Sequence, residues 1–320
     1  MSKILITGGA GFIGSHIAEK LGALGHEVII LDNLDPYYSP KIKSRNLELV
    51  QENPNIQFIE GDILDRNILT ELIKGGVEYI YHEAAQPGVR ASLQDPFKPY
   101  RVNVGGTLNI LEAAKEGGVK RIINASSSSV YGNVEYMPFD EGHPTRPLSP
   151  YGVSKLTAEY YCNVYHNLYE LPVVTLRYFT VYGPRMRPDL AIPLFASAML
   201  QGKSPTIFGD GTQSRDFTFI DDIVAANVNL LDTDKADGEV LNIGAGREIV
   251  LKDVYDSLLK LVDSDVEPIY AEEIKGDAKH TLSKVDKARE LIGYKPETTI
   301  EVGLKKFVEW YKANRSFYSD

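Results

Sequence analysis

The sequence predicts an α/β protein built on a doubly wound parallel sheet, on three observations. The run Lys3-Ile4-Leu5-Ile6-Thr7 is apolar and β-rich, as a strand covered on both faces must be, and it leads directly into Gly8-Gly9-Ala10-Gly11-Phe12-Ile13-Gly14. Strand-like runs then alternate with helical stretches through residue 178, the pattern of repeated βαβ units. A second apolar run, over 27–31, ends at Asp32, about twenty residues beyond the glycines, where dinucleotide-binding folds carry a carboxylate for the adenosine ribose.

The glycine loop opens a helix expected over 12–24. Gly9, Gly11 and Gly14 fit a G-x-G-x-x-G spacing, and Gly8, Gly11 and Gly14 a G-x-x-G-x-x-G spacing. Glycines there permit a tight turn and let a pyrophosphate approach the backbone at the helix N-terminus, with Phe12 and Ile13 beside it. A plain glycine turn is the bland alternative, and Asp32 argues against it. An anion at Asp32 repels a 2′-phosphate, so the expected cofactor is NAD rather than NADP.

A proline-punctuated loop, Asn33-Leu34-Asp35-Pro36-Tyr37-Tyr38-Ser39-Pro40, follows. A helix (41–51), a strand (56–60) and a helix (66–74) come next. Asp62-Ile63, just past that strand, is placed to meet the adenine edge, and an ordinary β-to-α cap reads equally well. A fourth strand (77–82) leads into the small-residue loop Glu83-Ala84-Ala85-Gln86-Pro87-Gly88-Val89-Arg90, in which Ala84 and Ala85 would let a cofactor lie close. One long helix is expected over 96–116, with Asn103 facing inward to bond a neighbouring loop.

The fifth strand (120–125) delivers Ser126-Ser127-Ser128-Ser129-Val130-Tyr131-Gly132 to the carboxyl end of the sheet, where open α/β sheets bind ligands. This row is either a hydroxyl-rich cap or a set of donors facing a substrate. Ser149-Pro150 then opens a helix running to about 168: serine caps the first turn, and proline suits the first helical position. Tyr151 and Lys155, four apart, share one face of it. A phenol near an ammonium has its anionic form favoured, which makes Tyr151 a candidate general base. A sixth strand spans 173–177.

After Tyr178 the pattern changes. Phe179-Thr180-Val181-Tyr182-Gly183-Pro184-Arg185-Met186-Arg187-Pro188 reads as a loop, followed by a helix (192–200) and a strand (206–208). The segment Gln213 to Phe219 carries Arg215 and leads to Asp221-Asp222, expected to cap a further helix. A strand (240–243) and helices over 251–262, 284–291 and 300–314 complete the chain. The expected division is a dinucleotide-binding domain over 1–178 and a smaller C-terminal α/β substrate lobe over 179–320, with some elements returning to the main sheet.

Composition narrows the function classes. Hydrophobic residues make up 43% and charged residues 24%, ordinary values for a soluble globular chain. No long uncharged apolar run is present, so no membrane span is expected, and the N-terminal run is too short for a signal peptide. Cys162 is the only cysteine, which rules out an intramolecular disulfide and a zinc cluster, so no metal is expected and the setting is expected to be cytoplasmic. A net charge of −10 without a basic stripe argues against nucleic acid.

Together the glycine loop, the serine row before Val130-Tyr131-Gly132, Tyr151-x-x-x-Lys155, the Arg177-Tyr178-Phe179 to Gly183-Pro184-Arg185 loop and Arg215-Asp216-Phe217 resemble the extended short-chain dehydrogenases that act on nucleotide sugars. The resemblance covers nearly the whole chain. Within that family, Pro36-Tyr37-Tyr38, the 84–90 loop and the 179–188 loop look most like UDP-glucuronic acid 4-epimerases. The resemblance implies a Rossmann-like fold and a bound NAD⁺ that is reduced and reoxidised within each cycle. Tyr151 would take the proton of the sugar 4-hydroxyl, Lys155 would hold the nicotinamide ribose, Ser127 would bond the same sugar oxygen, and Tyr178 would line the cofactor. Arg215 would clamp the diphosphate.

The same resemblance separates reaction types. Sugar 4,6-dehydratases carry an Asp-Glu pair where Ser128 and Ser129 stand, and UDP-glucuronate decarboxylases carry a glutamate at Ser129. Serine cannot do that acid–base work, which argues for epimerisation. A uronate carboxylate must be bonded once desolvated. Ser127, Ser128, Ser129 and Thr180 offer neutral donors, and Arg90 or Arg187 could offer charge. Arg187 reads equally as a diphosphate contact or a surface residue, and Arg90 as a salt bridge ordering its loop. Many UDP-glucose 4-epimerases carry asparagine at Thr180. The alternatives are therefore a UDP-glucose or UDP-N-acetylhexosamine 4-epimerase, or a catalytically silent NAD-binding sensor on the same fold. Relatives are commonly homodimers through two long helices.

Overall fold

Alternation of side chains along β1 (Lys3–Thr7) decides where the layers form: Ile4 and Ile6 are buried on one face and Leu5 on the other, so helices must cover both sides. The computed structural model describes residues 1–273, 276 and 278–318. Among these, β1, β2 (Glu27–Asp32), β3 (Ile56–Glu60), β4 (Tyr79–His82), β5 (Arg121–Ser127) and β6 (Val173–Tyr178) lie in one parallel sheet. Three strands outside that sheet follow in the chain, β7 (Thr180–Tyr182), β8 (Thr206–Phe208) and β9 (Ser214–Phe219). The next, β10 (Val240–Ile243), returns to the main sheet beside β6, giving the order β10-β6-β5-β4-β1-β2-β3. The chain thus crosses from β1 outward in both directions, the doubly wound arrangement, with the β1–β4 boundary as its switch point.

One face carries α1 (Phe12–Ala23) and α2 (Pro40–Val50), and the other α3 (Arg66–Lys74). The loop after β4 contains a short helix, α4 (Val89–Gln94), where the sequence suggested only loop. The long helix expected over 96–116 is three pieces: α5 (Phe97–Pro99), a π-helical turn over Tyr100–Gly105, and α6 (Gly106–Gly117). The wide turn coincides with Asn103, whose amide is committed to another loop. The amide accepts from the Gln86 N–H at 2.7 Å and donates to the Gln86 carbonyl at 3.1 Å and to Ser154 Oγ at 2.8 Å. Ser154 sits on α7 (Pro150–Tyr169), which opens as its sequence predicts: Ser149 Oγ accepts from the Gly152 N–H at 3.2 Å, with Pro150 in the first turn.

Beyond β6 lie α8 (Ala191–Leu200), α9 (Ile220–Asn229), β11 (Glu248–Val250), α10 (Leu251–Val262), β12 (Ile269–Ala271), α11 (Asp286–Ile292) and α12 (Ile300–Asn314). β9 pairs with β7 in parallel and with β11 antiparallel, and β8 pairs with β12. The sequence reading missed β7, β9, β11 and β12, all short or bounded by polar residues. It also placed Asp221-Asp222 as a helix cap. Instead Asp222 accepts from the backbone N–H groups of Glu297 and Thr298, at 3.1 and 3.3 Å, and Asp221 pairs with Lys306 at 3.0 Å. These carboxylates fasten α12 to α9. One apolar core runs from Ile4, Ile30 and Leu21 through Tyr182 and Phe219 to Phe307 and Tyr311, so the C-terminal elements share packing with the sheet.

Candidate active site

The carboxyl ends of β1, β2, β4, β5 and β6 border a cavity of about 400 Å³. At its sheet end, the glycine loop is tied down by contacts that admit no side chain. A Cβ on Gly8 would stand 2.6 Å from the Ala84 nitrogen, and one on Gly14 would stand 2.4 Å from the Gly8 carbonyl oxygen. Gly8 also holds φ at +72°, which glycine adopts without strain. Helix α1 begins at Gly11 with no side chain capping it, so the wall formed by Gly11, Phe12, Ile13 and Gly14 offers the open N-terminal end of a twelve-residue helix. Such an end suits a diphosphate. Asp32, buried at the tip of β2, accepts from the Ala10 N–H at 3.2 Å and the Leu34 N–H at 2.9 Å, with Lys43 Nζ 3.4 Å away. Asp62 and Ile63 line the same end. Asp62 also accepts from Asn33 Nδ2 and the Leu64 N–H, both at 2.8 Å, but the cap of α3 is Asp65, whose side chain accepts from the Asn67 N–H. These features fit an adenine dinucleotide.

At the other end, Ser127, Ser128, Ser129, Tyr151, Lys155, Tyr178 and Thr180 all line the cavity, with Ala84 and Ala85 between the two ends. Lys155 Nζ donates to the Ala125 carbonyl at 2.6 Å, which pins the ammonium beneath the serine row. Ser127 Oγ accepts from the Ser129 N–H at 3.1 Å. Behind this wall Glu159, one turn past Lys155, receives both Arg177 (Nη2 at 2.7 Å) and Ser126, which locks α7 against β5 and β6. A second network runs from β1 to α7. Thr107 donates to the Asn103 carbonyl at 2.6 Å, so it accepts from His82 Nε2, and His82 Nδ1 accepts from the Thr7 hydroxyl at 2.8 Å. Burial, aided by the Lys155 charge, lowers the imidazole to about 3 and keeps it neutral.

The arginines divide. Arg215 lines the cavity, and its Nη1 donates to the Ser214 and Lys279 carbonyls at 2.8 and 3.0 Å. Arg187 lines it too, but its guanidinium is engaged by Asp189 at 3.1 Å, and Asp189 also accepts from the Tyr37 hydroxyl at 2.9 Å. Burial and the Asp189 charge push the Tyr37 phenol up to about 12. Arg90 stands apart. It is exposed, lies outside the cavity lining, and stacks over the Phe208 ring 4.3 Å from its centroid, the contact it makes in place of the expected salt bridge.

Sequence reasoning passed over Glu83, Gln86, Lys43 and Leu190, which also line the cavity. Glu83 alone carried a signal: it is the one acidic side chain in a small-residue run. Burial raises it to about 7. Thr281, in a segment whose resemblance is faint, lines the cavity with Gly276 and Ala278.

A Rossmann-like sheet with an open glycine-loop helix end, a buried carboxylate at the tip of β2 and a Tyr-x-x-x-Lys pair on one cavity is the frame of an NAD-dependent enzyme. Residues 4–244 match the family model of the NAD-dependent epimerase/dehydratase family. The chain belongs to that family, and it is an NAD-dependent isomerase of the epimerase kind. It is 39% identical to a UDP-glucuronate 4-epimerase of Thermodesulfobacterium geofontis, over 98% of this chain and 97% of that one. It is also 39% identical to a putative UDP-glucose 4-epimerase of Methanocaldococcus jannaschii, over 97% and 99%. Its fold superposes on the crystal structure of the UDP-glucuronic acid 4-epimerase of Bacillus cereus in complex with UDP-glucuronic acid and NAD. The TM-score there is 0.93 at 39% identity, covering 98% of this chain and 99% of that one.

Proposed function

We propose that the protein interconverts UDP-glucuronate and UDP-galacturonate by inverting carbon 4 of the sugar. The observation that carries this reading is the wall facing Tyr151: Ser127, Ser128, Ser129 and Thr180 supply hydroxyls to the cavity, and no carboxylate stands in the serine row. Elimination of water needs an acid or base there. A 4-keto uronate is a β-keto acid, and neutral donors that fix its carboxylate in an unproductive orientation hold off decarboxylation.

A bound NAD would supply the reversible hydride acceptor that inversion at carbon 4 requires. The chain's own residues do the rest. Tyr151 removes the proton of the 4-hydroxyl and gives it back, a role its place on the first turn of α7 suits. Lys155 holds the nicotinamide ribose, Ser127 bonds the reacting oxygen, and Arg215 clamps the diphosphate through its planar fork. Glycines 8, 11 and 14, with Phe12, Ile13, Asp32, Asp62, Ile63, Ala84, Ala85 and Tyr178, hold the dinucleotide. Arg187 meets the uronate only if Asp189 shares it.

A second reading, a UDP-glucose 4-epimerase, is favoured by that same Arg187–Asp189 pair, because an arginine already matched by a carboxylate adds little net charge for a uronate. The assay is direct. The purified protein with its bound cofactor, given UDP-glucuronate and UDP-glucose separately, converts the uronate to its 4-epimer and leaves UDP-glucose unchanged. Conversion of UDP-glucose alone overturns the choice of substrate.

The reading includes a cytosolic homodimer. Val153, Tyr160, Val164 and Leu168 present one apolar stripe of α7 to solvent, with Tyr160 60% and Leu168 69% exposed, and a two-fold contact between such helices would bury it. No helix among the described residues is long and apolar enough to cross a membrane, and Cys162 is a buried free thiol.

A further inference from the structure

Glu83 has no part in the proton and hydride steps, yet it occupies the reactive end of the cavity. It follows β4 directly, its backbone N–H held by the Thr7 carbonyl at 3.1 Å, and its side chain turns toward the end of β6. There Oε1 accepts from the Tyr178 hydroxyl at 2.9 Å. The phenol is held in turn by α9: Asn227 Nδ2 donates to it at 2.9 Å and to the Ile223 carbonyl at 2.9 Å. The second bond identifies the amide nitrogen; Asn227 Oδ1 also lies 3.1 Å from the phenol, so Glu83, at 2.9 Å, is the nearer of two acceptors for its proton. Three elements of the sheet and its covering helix thus fix one carboxyl group at the cavity wall, beside the lysine assigned to the nicotinamide ribose.

We propose that Glu83 is a positioning and redox-tuning residue for the bound nicotinamide: its carboxylate, clamped by Tyr178, stabilises the cationic oxidised ring over the neutral reduced one. The proposal rests on the reading that this end of the cavity holds the nicotinamide. An epimerase returns its hydride in every cycle, so a wall charge that disfavours the reduced cofactor keeps the enzyme from stalling with the sugar oxidised. The titratable groups that face the carboxyl are Tyr178 on β6, Lys155 on α7 and Tyr81 on its own strand. Tyr178 and Lys155 favour the anion, whereas burial opposes it and places its protonation near neutrality. The tuning therefore fades as pH falls and the carboxyl becomes neutral.

The test titrates the cofactor of the holoenzyme against a redox dye and reads the ratio of reduced to oxidised cofactor from its near-ultraviolet absorbance. Wild type, Glu83→Gln and Tyr178→Phe are compared at equal potential and pH. Glutamine keeps the acceptor for Tyr178 but removes the charge, and is expected to raise the ratio roughly tenfold at about pH 8, with the difference shrinking toward unity at about pH 5.5. Tyr178→Phe keeps the carboxyl but removes one group that favours its anion. It is expected to raise the ratio near neutrality, with the ratio falling back toward wild type as pH rises and the carboxyl ionises without the clamp. Bound-cofactor stoichiometry and thermal unfolding are read on the same samples. A Glu83→Gln holoenzyme with full cofactor and an unchanged ratio overturns the proposal. So does a Tyr178→Phe ratio that stays as large as that of Glu83→Gln at the alkaline end of the titration, or a Glu83→Gln protein that folds but holds no cofactor. A wild-type protein that binds no dinucleotide overturns the underlying reading instead, and the proposal with it.

Discussion

Tyr151 shows how little a side chain's identity says until its surroundings are known. On α7 it lines a cavity also lined by the glycine loop, with Lys155 pinned to the Ala125 carbonyl four residues on. Tyr151→Phe keeps the ring and removes the proton carrier, so kcat should fall by roughly 10²–10⁴-fold while bound NAD is retained, as steady-state kinetics and cofactor stoichiometry would show. Thr180→Ala should lower epimerisation of the uronate and release more carbon dioxide. Faster epimerisation without added decarboxylation would remove Thr180 from the carboxylate site. His82 bears on stability instead. Its imidazole is lowered to about 3 in the folded protein, against an ordinary 6.5, so between those values the unfolded chain binds the extra proton. Stability from this group is complete above about 6.5 and is lost as pH falls toward 3. His16, lowered to about 3 by burial and by Arg185, adds in the same direction, whereas Glu83, raised to about 7, opposes both above its ordinary 4.5. The unfolding temperature should therefore drop on acidification from pH 6.5 to 4.5, and drop less steeply in His82→Gln.

At the scale of elements, α7 is built to deliver two residues to the cavity. Its cap, its proline and its buried face of Ser154, Lys155, Ala158, Glu159 and Cys162 all fix one rotation about the helix axis. Ser149→Ala removes the cap and should cost about 1 kcal/mol in denaturant unfolding, with a smaller loss of activity than Tyr151→Phe. The π-helical turn before α6 has the opposite character: it widens the helix at the residue where Asn103 bridges the Gln86 loop and Ser154. Asn103→Leu leaves a buried N–H and carbonyl of Gln86 without partners. It should destabilise the protein by roughly 1–3 kcal/mol and loosen cofactor retention, as dialysis of the holoenzyme would show.

For the whole molecule, the exposed apolar stripe on α7 lies on the same helix as Tyr151 and Lys155, so the proposed dimer contact and the proposed catalytic pair would share one element. Tyr160→Glu with Leu168→Glu should shift the elution of the protein from dimer to monomer. Wild-type protein eluting as a monomer at micromolar concentration would remove the homodimer from the reading.

Much of this was legible along the chain. The strand-to-glycine-to-helix run, Asp32, the serine row and Tyr151-x-x-x-Lys155 are local patterns, because each depends on residues within a turn or two, and the seven-stranded parallel sheet matches the fold class they predicted. What the tertiary structure alone decided depends on residues far apart in the chain. Arg187 reads along the chain as a candidate carboxylate ligand; the fold brings Tyr37, 152 residues before Asp189, to donate to the Asp189 carboxylate that pairs with it. Arg90, beside the small-residue loop, turned outward onto Phe208, more than a hundred residues on. Asp222 held α12 rather than its own helix. The Glu83 carboxyl was clamped only when β6 brought Tyr178 to it and α9 held that phenol. A charged side chain has several partners within reach of its own sequence, and which one it takes is decided by the desolvation that packing imposes, a quantity no local pattern contains.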